Sequence, residues 1–196
     1  MKIRKGKSAE KDIIASLIME AMDADCCQHL AGPEHSLQEF HQLISLLVAE
    51  EENLYSYRNT LVAVDDEGQV IGACISYDGA DFRRLRIPFI KLSKTYLGMD
   101  YSTMKEETQA GELYVDSLCV TKKFRHQGVA TALLKATEEK ACRSGIKYVG
   151  LLVDKDNPKA EKLYYTLGFR YVEDTSWAGH PMKHLIKSVA GPTARI

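Results

Sequence analysis

Residues 125–130, RHQGVA, join a basic turn to the start of a helix. The first amides of a helix have no partner inside it, and the helix dipole makes that end positive. A phosphate binds well at such a position, and Gly128 lets the backbone approach it closely. From residue 121 to 147 the chain carries seven Lys or Arg against two Glu. The segment therefore predicts an anion site, although neither a P-loop nor a GxGxxG motif is present.

A second feature is the segment 157–169, NPKAEKLYYTLGF. Its first two residues, asparagine and proline, suit the cap and first turn of a helix. Ala160 and Tyr164 are four residues apart and lie on one face of that helix. Simple core packing of Leu163, Tyr164 and Leu167 would need the same pattern, so this helix alone assigns no function.

The third feature is a pair of carboxylates in the β-rich segment 112–120, ELYVDSLCV. Glu112, Tyr114, Asp116 and Leu118 share one side of the strand if no bulge interrupts it. A carboxylate so placed can accept a proton from an amine, directly or through water. The alternative is that both carboxylates are surface groups paired with arginines, and a β-bulge would break the alternation.

Hydrophobic patterning indicates the elements that position these residues. It predicts strands at residues 3–5, 61–64, 70–75, 112–120, 148–153, 169–172 and 182–189. It predicts helices starting near residue 8 and over 37–52, 129–143 and 157–168, with a loop at 26–36. Residues 78–108 are either a long excursion or a helix followed by a loop. The strand, helix and strand from residue 112 to 153 form a βαβ unit, whose two strands should be parallel.

The composition is that of a soluble globular protein, and we expect one domain over residues 1–196. The net charge is −1, which argues against a dedicated nucleic-acid binder. No apolar run approaches the length of a membrane span, and none follows the basic residues at the start as in a signal peptide, so we expect neither feature. The odd number of cysteines, five, without a CxxC pair favours reduced thiols in the cytoplasm.

Taken in order, the two motifs resemble those of the GNAT N-acetyltransferase superfamily. The acetyl-CoA motif [Q/R]-x-x-G-x-[G/A] is matched by Arg125, Gly128 and Ala130. The next motif, N-x-x-A-x-x-x-Y followed by G-F, is matched by Asn157, Ala160, Tyr164, Gly168 and Phe169. The resemblance covers about residues 110–172, and before them only the order of elements fits.

The resemblance implies an α/β (α+β) GNAT fold. This is a mixed, mostly antiparallel, splayed sheet of about six or seven strands, flanked by helices around a central βαβ unit. Acetyl-CoA would lie between the fourth and fifth strands, with its pantetheine arm along Leu118, Cys119 and Val120. Its pyrophosphate would sit on the amides of His126, Gln127, Gly128, Val129, Ala130 and Thr131. Arg125, Asn157, Ala160 and Tyr164 complete the implied cofactor contacts, and no metal is expected.

The implied chemistry is direct attack of a neutral amine on the thioester in a ternary complex. Tyr164 would protonate or stabilise the leaving thiolate, whereas Tyr165 should point to another face. Asp116 or Glu112 would remove the amine proton. A covalent intermediate on Cys119 is not expected, because that residue lies mid-strand. The group of Cys26, Cys27, His29 and His35 lacks a standard zinc spacing.

Two classes of function remain open at this level. One is an acetyl-CoA-dependent N-acetyltransferase, with a longer acyl donor as a variant. The other is a non-catalytic CoA-binding regulatory or interaction module. The resemblance implies that residues 22–37 and 78–108 determine which acceptor binds. The basic run at 83–86 could favour an acceptor that carries a carboxylate or phosphate. We expect a small-molecule amine rather than a protein, no nucleic acid and no membrane, and we allow a homodimer.

Overall fold

A computed structural model describes residues 1–189, and these build one seven-stranded sheet in the order β1-β2-β3-β4-β5-β7-β6. The strands are β1 Lys2–Lys5, β2 Thr60–Val64, β3 Val70–Asp78, β4 Glu112–Val120, β5 Tyr148–Asp154, β6 Arg170–Trp177 and β7 His180–Ser188. All pairs are antiparallel except β4 and β5, which are parallel. The predicted fold class and the parallel βαβ unit are confirmed.

Helices cover both faces of the sheet. They are α1 Lys11–Met22, α2 Ala24–Ala31, α3 Leu37–Ala49, α4 Phe82–Leu85, α5 Ile87–Leu97, α6 Val129–Arg143 and α7 Pro158–Thr166. The first five bury their apolar stripes in one core cluster, and α6 and α7 pack into a second. No helix within residues 1–189 is long and apolar enough to cross a membrane.

The sheet splays between β4 and β5. Their pairing covers only Glu112 to Val115 on β4 and Tyr148 to Leu151 on β5. Beyond Val115 the edge of β4 that faces β5 is left without a strand partner in the described part of the chain. Free backbone groups at an edge can pair with an added extended chain.

A bulge in β4 changes which side chains share a face. Ile75 of β3 pairs with Ser117 and Ser76 pairs with Val115, so Asp116 is the extra residue. Tyr114 packs into the first core cluster, whereas Leu118 packs against the second. The shared face of Tyr114 and Leu118 was predicted only for a strand without a bulge, and the bulge shifts the alternation by one residue.

Residues 26–36, predicted as a loop, begin inside a helix. Asp23 adopts a positive φ of 70°, and its carboxylate accepts a hydrogen bond from the Cys26 amide at 2.8 Å. This cap starts α2 directly after α1 ends, and α2 buries Cys26, Cys27 and Leu30. The prediction was wrong because the chain turns at a single non-glycine residue, which leaves no loop signal in the sequence.

Residues 78–108 follow the helix-plus-loop alternative, since α4 and α5 occupy their first two thirds. Their arginines have local partners. Arg83 pairs with Glu106 at 2.7 Å, and Arg84 pairs with Glu52 and Asp81. Arg86 donates to the carbonyls of Met104 and Ser102. The arginines of the basic run are therefore paired within the fold, and this weakens the expectation that they bind an anionic acceptor.

The last hairpin is longer than predicted. Strands β6 and β7 meet at a turn in which Ala178 and Gly179 have φ values of 47° and 84°. The predicted strands at 169–172 and 182–189 cover only the parts of β6 and β7 away from this turn. Of the predicted domain, residues 190–196 lie outside the described residues.

Candidate active site

The splay opens a cleft of about 490 Å³. Its floor consists of the parted strands, with Val115–Leu118 on one side and Leu152–Asp154 on the other. The end of α1 and the start of α2 wall it on one face of the sheet, and α7 walls it on the other. The cleft therefore receives side chains from both faces.

The turn after β4 presents the N-terminus of α6. His126 and Gly128 have positive φ values of 61° and 81°, and they reverse the chain into the helix. The first bond of the helix joins the Ala132 amide to the Gly128 carbonyl at 3.0 Å. The amides of the first turn thus point out of the helix end, as the predicted phosphate seat requires. A Cβ on Gly128 would meet nothing within 4 Å, so backbone conformation, not crowding, favours glycine here.

Arg125 holds this turn in place. Its Nε donates to the Val120 carbonyl at 2.9 Å, and its Nη2 pairs with Glu20 of α1 at 2.8 Å. Gln127 bonds within the turn, from its side-chain amide to the Lys123 carbonyl at 3.0 Å. These two side chains already have protein partners, so they position the turn, and their predicted contacts with the cofactor stay predictions.

Tyr164 lies on the α7 wall of the cleft, beside Ala160. Its ring meets Phe169 edge-on, with centroids 5.7 Å apart. Burial raises the pKa of the Tyr164 phenol above its usual range, so the hydroxyl keeps its proton at neutral pH. Tyr165 is 43% exposed and points elsewhere, as the sequence predicted. At the start of α7, the Asn157 side chain accepts from the Ala160 amide at 3.1 Å, which is a helix cap.

Asp116 faces the cleft from the opposite wall. The bulge presents its carboxylate to two hydroxyl donors, Tyr77 and Ser117, each at 2.9 Å. Burial raises the pKa of the Asp116 carboxyl, and these hydrogen bonds oppose the rise. The structure thus brings Asp116 and Tyr164 to one cleft from opposite faces of the sheet.

Glu112, the other predicted base, is only 3% exposed and is absent from the residues that line the cleft. Its carboxylate accepts from Thr108 at 2.7 Å and contacts His184 of β7 at 2.9 Å. A Cβ on Gly150 would lie 2.0 Å from a Glu112 oxygen, so glycine makes room for this buried bridge across β5. The geometry gives Glu112 a structural contact and does not support it as the base.

The thiols of Cys26, Cys27 and Cys119 are buried. Burial raises the pKa of Cys119 to about 11 and those of Cys26 and Cys27 to about 12. A thiol that stays protonated is a poor nucleophile and a poor metal ligand. Within residues 1–189 no group of three or more His, Cys, Asp or Glu side chains is arranged to hold a metal ion.

Glu107 is a cleft residue that the sequence reasoning missed. It precedes β4 in an irregular segment, where no periodic pattern marks which way a side chain points. Its Oε2 accepts from the Tyr114 hydroxyl at 3.0 Å, and it lines the cleft together with Asp116. Desolvation and the neighbouring Asp116 carboxylate raise the pKa of Glu107 to about 8.

With this geometry in place, comparison with known proteins identifies the family. Residues 22–169 match the Acetyltransferase (GNAT) family, and the chain belongs to it. The members of this family are acyltransferase enzymes, and the family generally uses acetyl-CoA.

The chain is also similar to particular proteins. It is 30% identical to a protein solved as "The crystal structure of acetyltransferase", with a TM-score of 0.78 over 97% of this chain and 100% of that one. An N-acetyltransferase from Staphylococcus aureus Mu50 shares the fold at 23% identity, with a TM-score of 0.74 over 95% of this chain and all of that one.

Two Arabidopsis thaliana proteins are similar over shorter stretches. GCN5-related N-acetyltransferase 6, chloroplastic, is 42% identical over 31% of this chain and 21% of its own length. GCN5-related N-acetyltransferase 4, chloroplastic, is 30% identical over 61% of this chain and 46% of its own length. The chain thus spans less than half the length of these relatives.

Proposed function

We propose that this chain transfers the acetyl group of acetyl-CoA to an amine by direct attack within a ternary complex. The observation that carries the proposal is the cleft at the splay, which Tyr164 and Asp116 enter from opposite faces. A proton donor on one wall and a proton acceptor on the other suit a reaction that moves one proton to sulfur and removes one from nitrogen.

The residues present fit acetyl-CoA. The exposed amides at the start of α6 suit its pyrophosphate, and the open space at Gly128 lets that group approach. The unpaired edge of β4 beyond Val115 suits the pantetheine amides, which would add to the sheet like a short strand. Bound there, acetyl-CoA supplies the activated thioester. A β4 amide would donate to its carbonyl oxygen as charge develops.

The proton steps fall to this chain's own side chains. Tyr164 keeps its hydroxyl proton at neutral pH because burial raises the pKa of the phenol, so it is ready to donate to sulfur. Asp116 presents a carboxylate oriented by Tyr77 and Ser117. Neither step uses a cysteine, which agrees with transfer that passes through no covalent enzyme intermediate.

We propose a small-molecule amine as the acceptor and a reducing location, such as the cytoplasm. The second proposal is supported by the buried thiols of Cys26, Cys27, Cys74 and Cys119. A homodimer stays an expectation for size-exclusion chromatography.

The experiment is an amine panel assayed by release of the CoA thiol, with acetyl-CoA binding measured separately by calorimetry. We expect binding of acetyl-CoA and amine-dependent release for at least one amine. Binding without release across the panel would contradict the enzyme and favour a CoA-binding module. Absence of binding would contradict both. Replacing acetyl-CoA by longer acyl-CoA donors in the same assay tests the donor.

A further inference from the structure

Two carboxylates meet on the cleft wall opposite Tyr164. Asp116 comes from the bulge in β4, and Glu107 comes from the segment that leads into β4. A tyrosine hydroxyl orients each one: Tyr77 donates to Asp116 at 2.9 Å, and Tyr114 donates to Glu107 at 3.0 Å. The two tyrosine rings pack together, with centroids 5.8 Å apart. The pair is therefore held by ordered side chains and is more than an accidental meeting of acids.

The surroundings leave the charge of this pair poorly balanced. Arg86 faces Glu107, and its guanidinium also donates to two carbonyls and stacks over Phe82. Lys105 lines a second pocket with Glu107, and its ammonium donates to Thr175 at 2.9 Å. The Trp177 indole nitrogen is buried near Glu107 with no hydrogen-bond partner at ordinary distance in residues 1–189, and its N–H, like the Tyr114 hydroxyl and Arg86, opposes the rise in the Glu107 pKa. The other titratable side chains that face the pair stay neutral because burial raises the pKa of each: Tyr55, Tyr77, Tyr114 and Cys26.

The other charged residues that line the cleft are also predominantly acidic. No lysine or arginine of the described residues lines it. The further acidic groups that do are Glu20, Asp23, Asp154 and Asp156, and His180 lines the cleft beside them. Glu20 is paired with Arg125, and Asp154 lies 3.3 Å from His180. A cation is thus the ligand that this cleft favours, and an acceptor with a carboxylate or phosphate near its amine would be repelled.

Two neighbouring desolvated carboxylates resist being ionised together, because like charges at low dielectric repel. Desolvation and Asp116 accordingly raise the pKa of Glu107 to about 8. An ammonium ion between the two carboxylates would relieve this repulsion. Desolvation, the larger cause of the rise, persists when the ammonium is bound, so Glu107 remains a stronger base than an exposed carboxylate.

We propose that Glu107 and Asp116 bind the acceptor as its ammonium ion, and that Glu107 takes the proton which the nitrogen must lose before it attacks. This inference rests on the proposed acetyl transfer and deepens it. The acceptor class is an alkyl amine that is cationic at neutral pH. The proton acceptor on this wall is then Glu107 in place of Asp116, and Asp116 positions the ammonium and the Glu107 carboxylate.

The step balances. The Glu107 carboxylate takes one proton from the ammonium, and the freed nitrogen lone pair forms the C–N bond to the acetyl carbon. The C–S bond breaks and its electron pair leaves on sulfur, which takes the Tyr164 proton. Tyr164 is reprotonated by the second proton that the nitrogen loses as the amide forms. Glu107 returns its proton to solvent, so one proton is released per acetyl transferred.

The test compares Glu107→Gln with the parent on a matched pair of amines, benzylamine and aniline. Benzylamine is cationic at pH 7 and aniline is neutral, so only benzylamine needs the proton taken first. The panel amine with the highest rate joins them. We expect Glu107→Gln to lower kcat/KM for alkyl amines by about 10²–10³-fold, with a much smaller loss for aniline. The rise of parent kcat/KM with pH through the pKa of Glu107 should disappear in the variant.

Glu106→Gln is the matched control, because Glu106 is the adjacent acid, exposed and paired with Arg83. It should keep the parent kinetics. Glu107→Asp keeps a carboxylate on a side chain one methylene shorter, and it should recover part of the rate that Glu107→Gln loses. Calorimetry should show acetyl-CoA binding unchanged in all three variants, which confirms that they are folded.

A titration of the Glu107 side-chain carbon by ¹³C NMR needs no amine. Its apparent pKa should fall in Asp116→Asn, because the neighbouring charge is gone. An unchanged pKa of Glu107 in Asp116→Asn would contradict the proposed interaction between the two carboxylates. If Glu107→Gln kept the kcat/KM and pH profile of the parent, Glu107 would not be the catalytic base, whereas the proposed acetyl transfer would still stand. A parent that binds acetyl-CoA but acetylates no amine would instead contradict the proposed function, and this inference with it.

Discussion

The two walls of the cleft are built from different ranges of the sequence. The wall expected to hold the cofactor is the short helix α7, and it is continued outside the residues that line the cleft by one stretch, from the end of β4 through the turn into α6. The wall expected to receive the acceptor takes Tyr77 from β3, Glu107 from an irregular segment, Asp116 from a bulge and Trp177 from β6. Tyr77 and Asp116, which share a hydrogen bond, are 39 positions apart.

The difference shows which parts of the site depend on local geometry. A helix end presents free amides whatever surrounds it, so a turn with Gly128 can be recognised from neighbouring residues. The carboxylate pair exists only because the sheet places β3 beside a bulged β4. We therefore expect substitutions at the turn into α6 to affect cofactor binding, and substitutions of Tyr164 or of the second wall to affect proton transfer and the acceptor.

The largest effect should come from Gly128→Glu. A side chain at a φ of 81° is strained by roughly 1–2 kcal/mol, and the new carboxylate would repel the pyrophosphate. We expect the acetyl-CoA-induced rise in melting temperature to be lost. Gly145→Glu is the control, because Gly145 follows the other end of α6 with a φ of 71° and equally open space. Gly145→Glu has the same backbone strain and should keep the acetyl-CoA-induced rise in melting temperature. Loss of that rise in both variants alike would contradict a phosphate site at Gly128.

A smaller effect, confined to turnover, should follow Tyr164→Phe. The ring keeps its edge-on contact with Phe169, whereas the hydroxyl that would protonate the thiolate is gone. We expect kcat to fall by about 10²-fold or more, with acetyl-CoA affinity nearly unchanged. The measurement is CoA release under saturating acetyl-CoA, beside Tyr165→Phe, whose exposed ring should be silent. Parent-like kcat in Tyr164→Phe would take this residue out of the reaction.

The last expected effect is confined to the pH dependence of stability. The pKa of Glu107 rises from the usual 4.5 to about 8 in the folded protein. Between these values the folded state holds a proton that the unfolded chain has released, so the Glu107 contribution to the free energy of unfolding falls as pH rises. Glu107→Gln should flatten the fall in melting temperature between about pH 5 and 8, and Glu106→Gln should not.

Lys140 sets the upper end of the pH range over which this prediction applies. Burial lowers the pKa of Lys140 from 10.5 to about 8, since its amine is enclosed against Ser76. Above pH 8 the unfolded chain is the state that holds the extra proton, so this contribution to stability rises with pH. The two residues thus act in opposite directions in adjacent pH ranges. A parent whose pH profile below 8 matches that of Glu107→Gln would contradict the raised pKa of Glu107.

Much of the fold could be predicted from the sequence because its elements have strong periodic patterns. Strand β4 and helix α6 were predicted with their observed bounds. The errors fall where a single residue redirects the chain. Asp23 turns α1 into α2 through a positive φ, and Asp116 adds a bulge that moves Leu118 to the other face. Neither feature changes the hydrophobic pattern of its neighbours, so neither could be seen in it.

The sequence by itself indicated the family, which the family match confirms, and a candidate cofactor site, because Arg125, Gly128, Asn157, Ala160 and Tyr164 lie at helix ends and on helix faces formed by near neighbours. Only the tertiary structure decided between the two predicted carboxylates. It enclosed Glu112 with Thr108 and His184, and it left Asp116 on the cleft beside Glu107. The physical reason is that burial and the charge of a neighbour set the protonation of a carboxylate, and both depend on segments far apart in the chain.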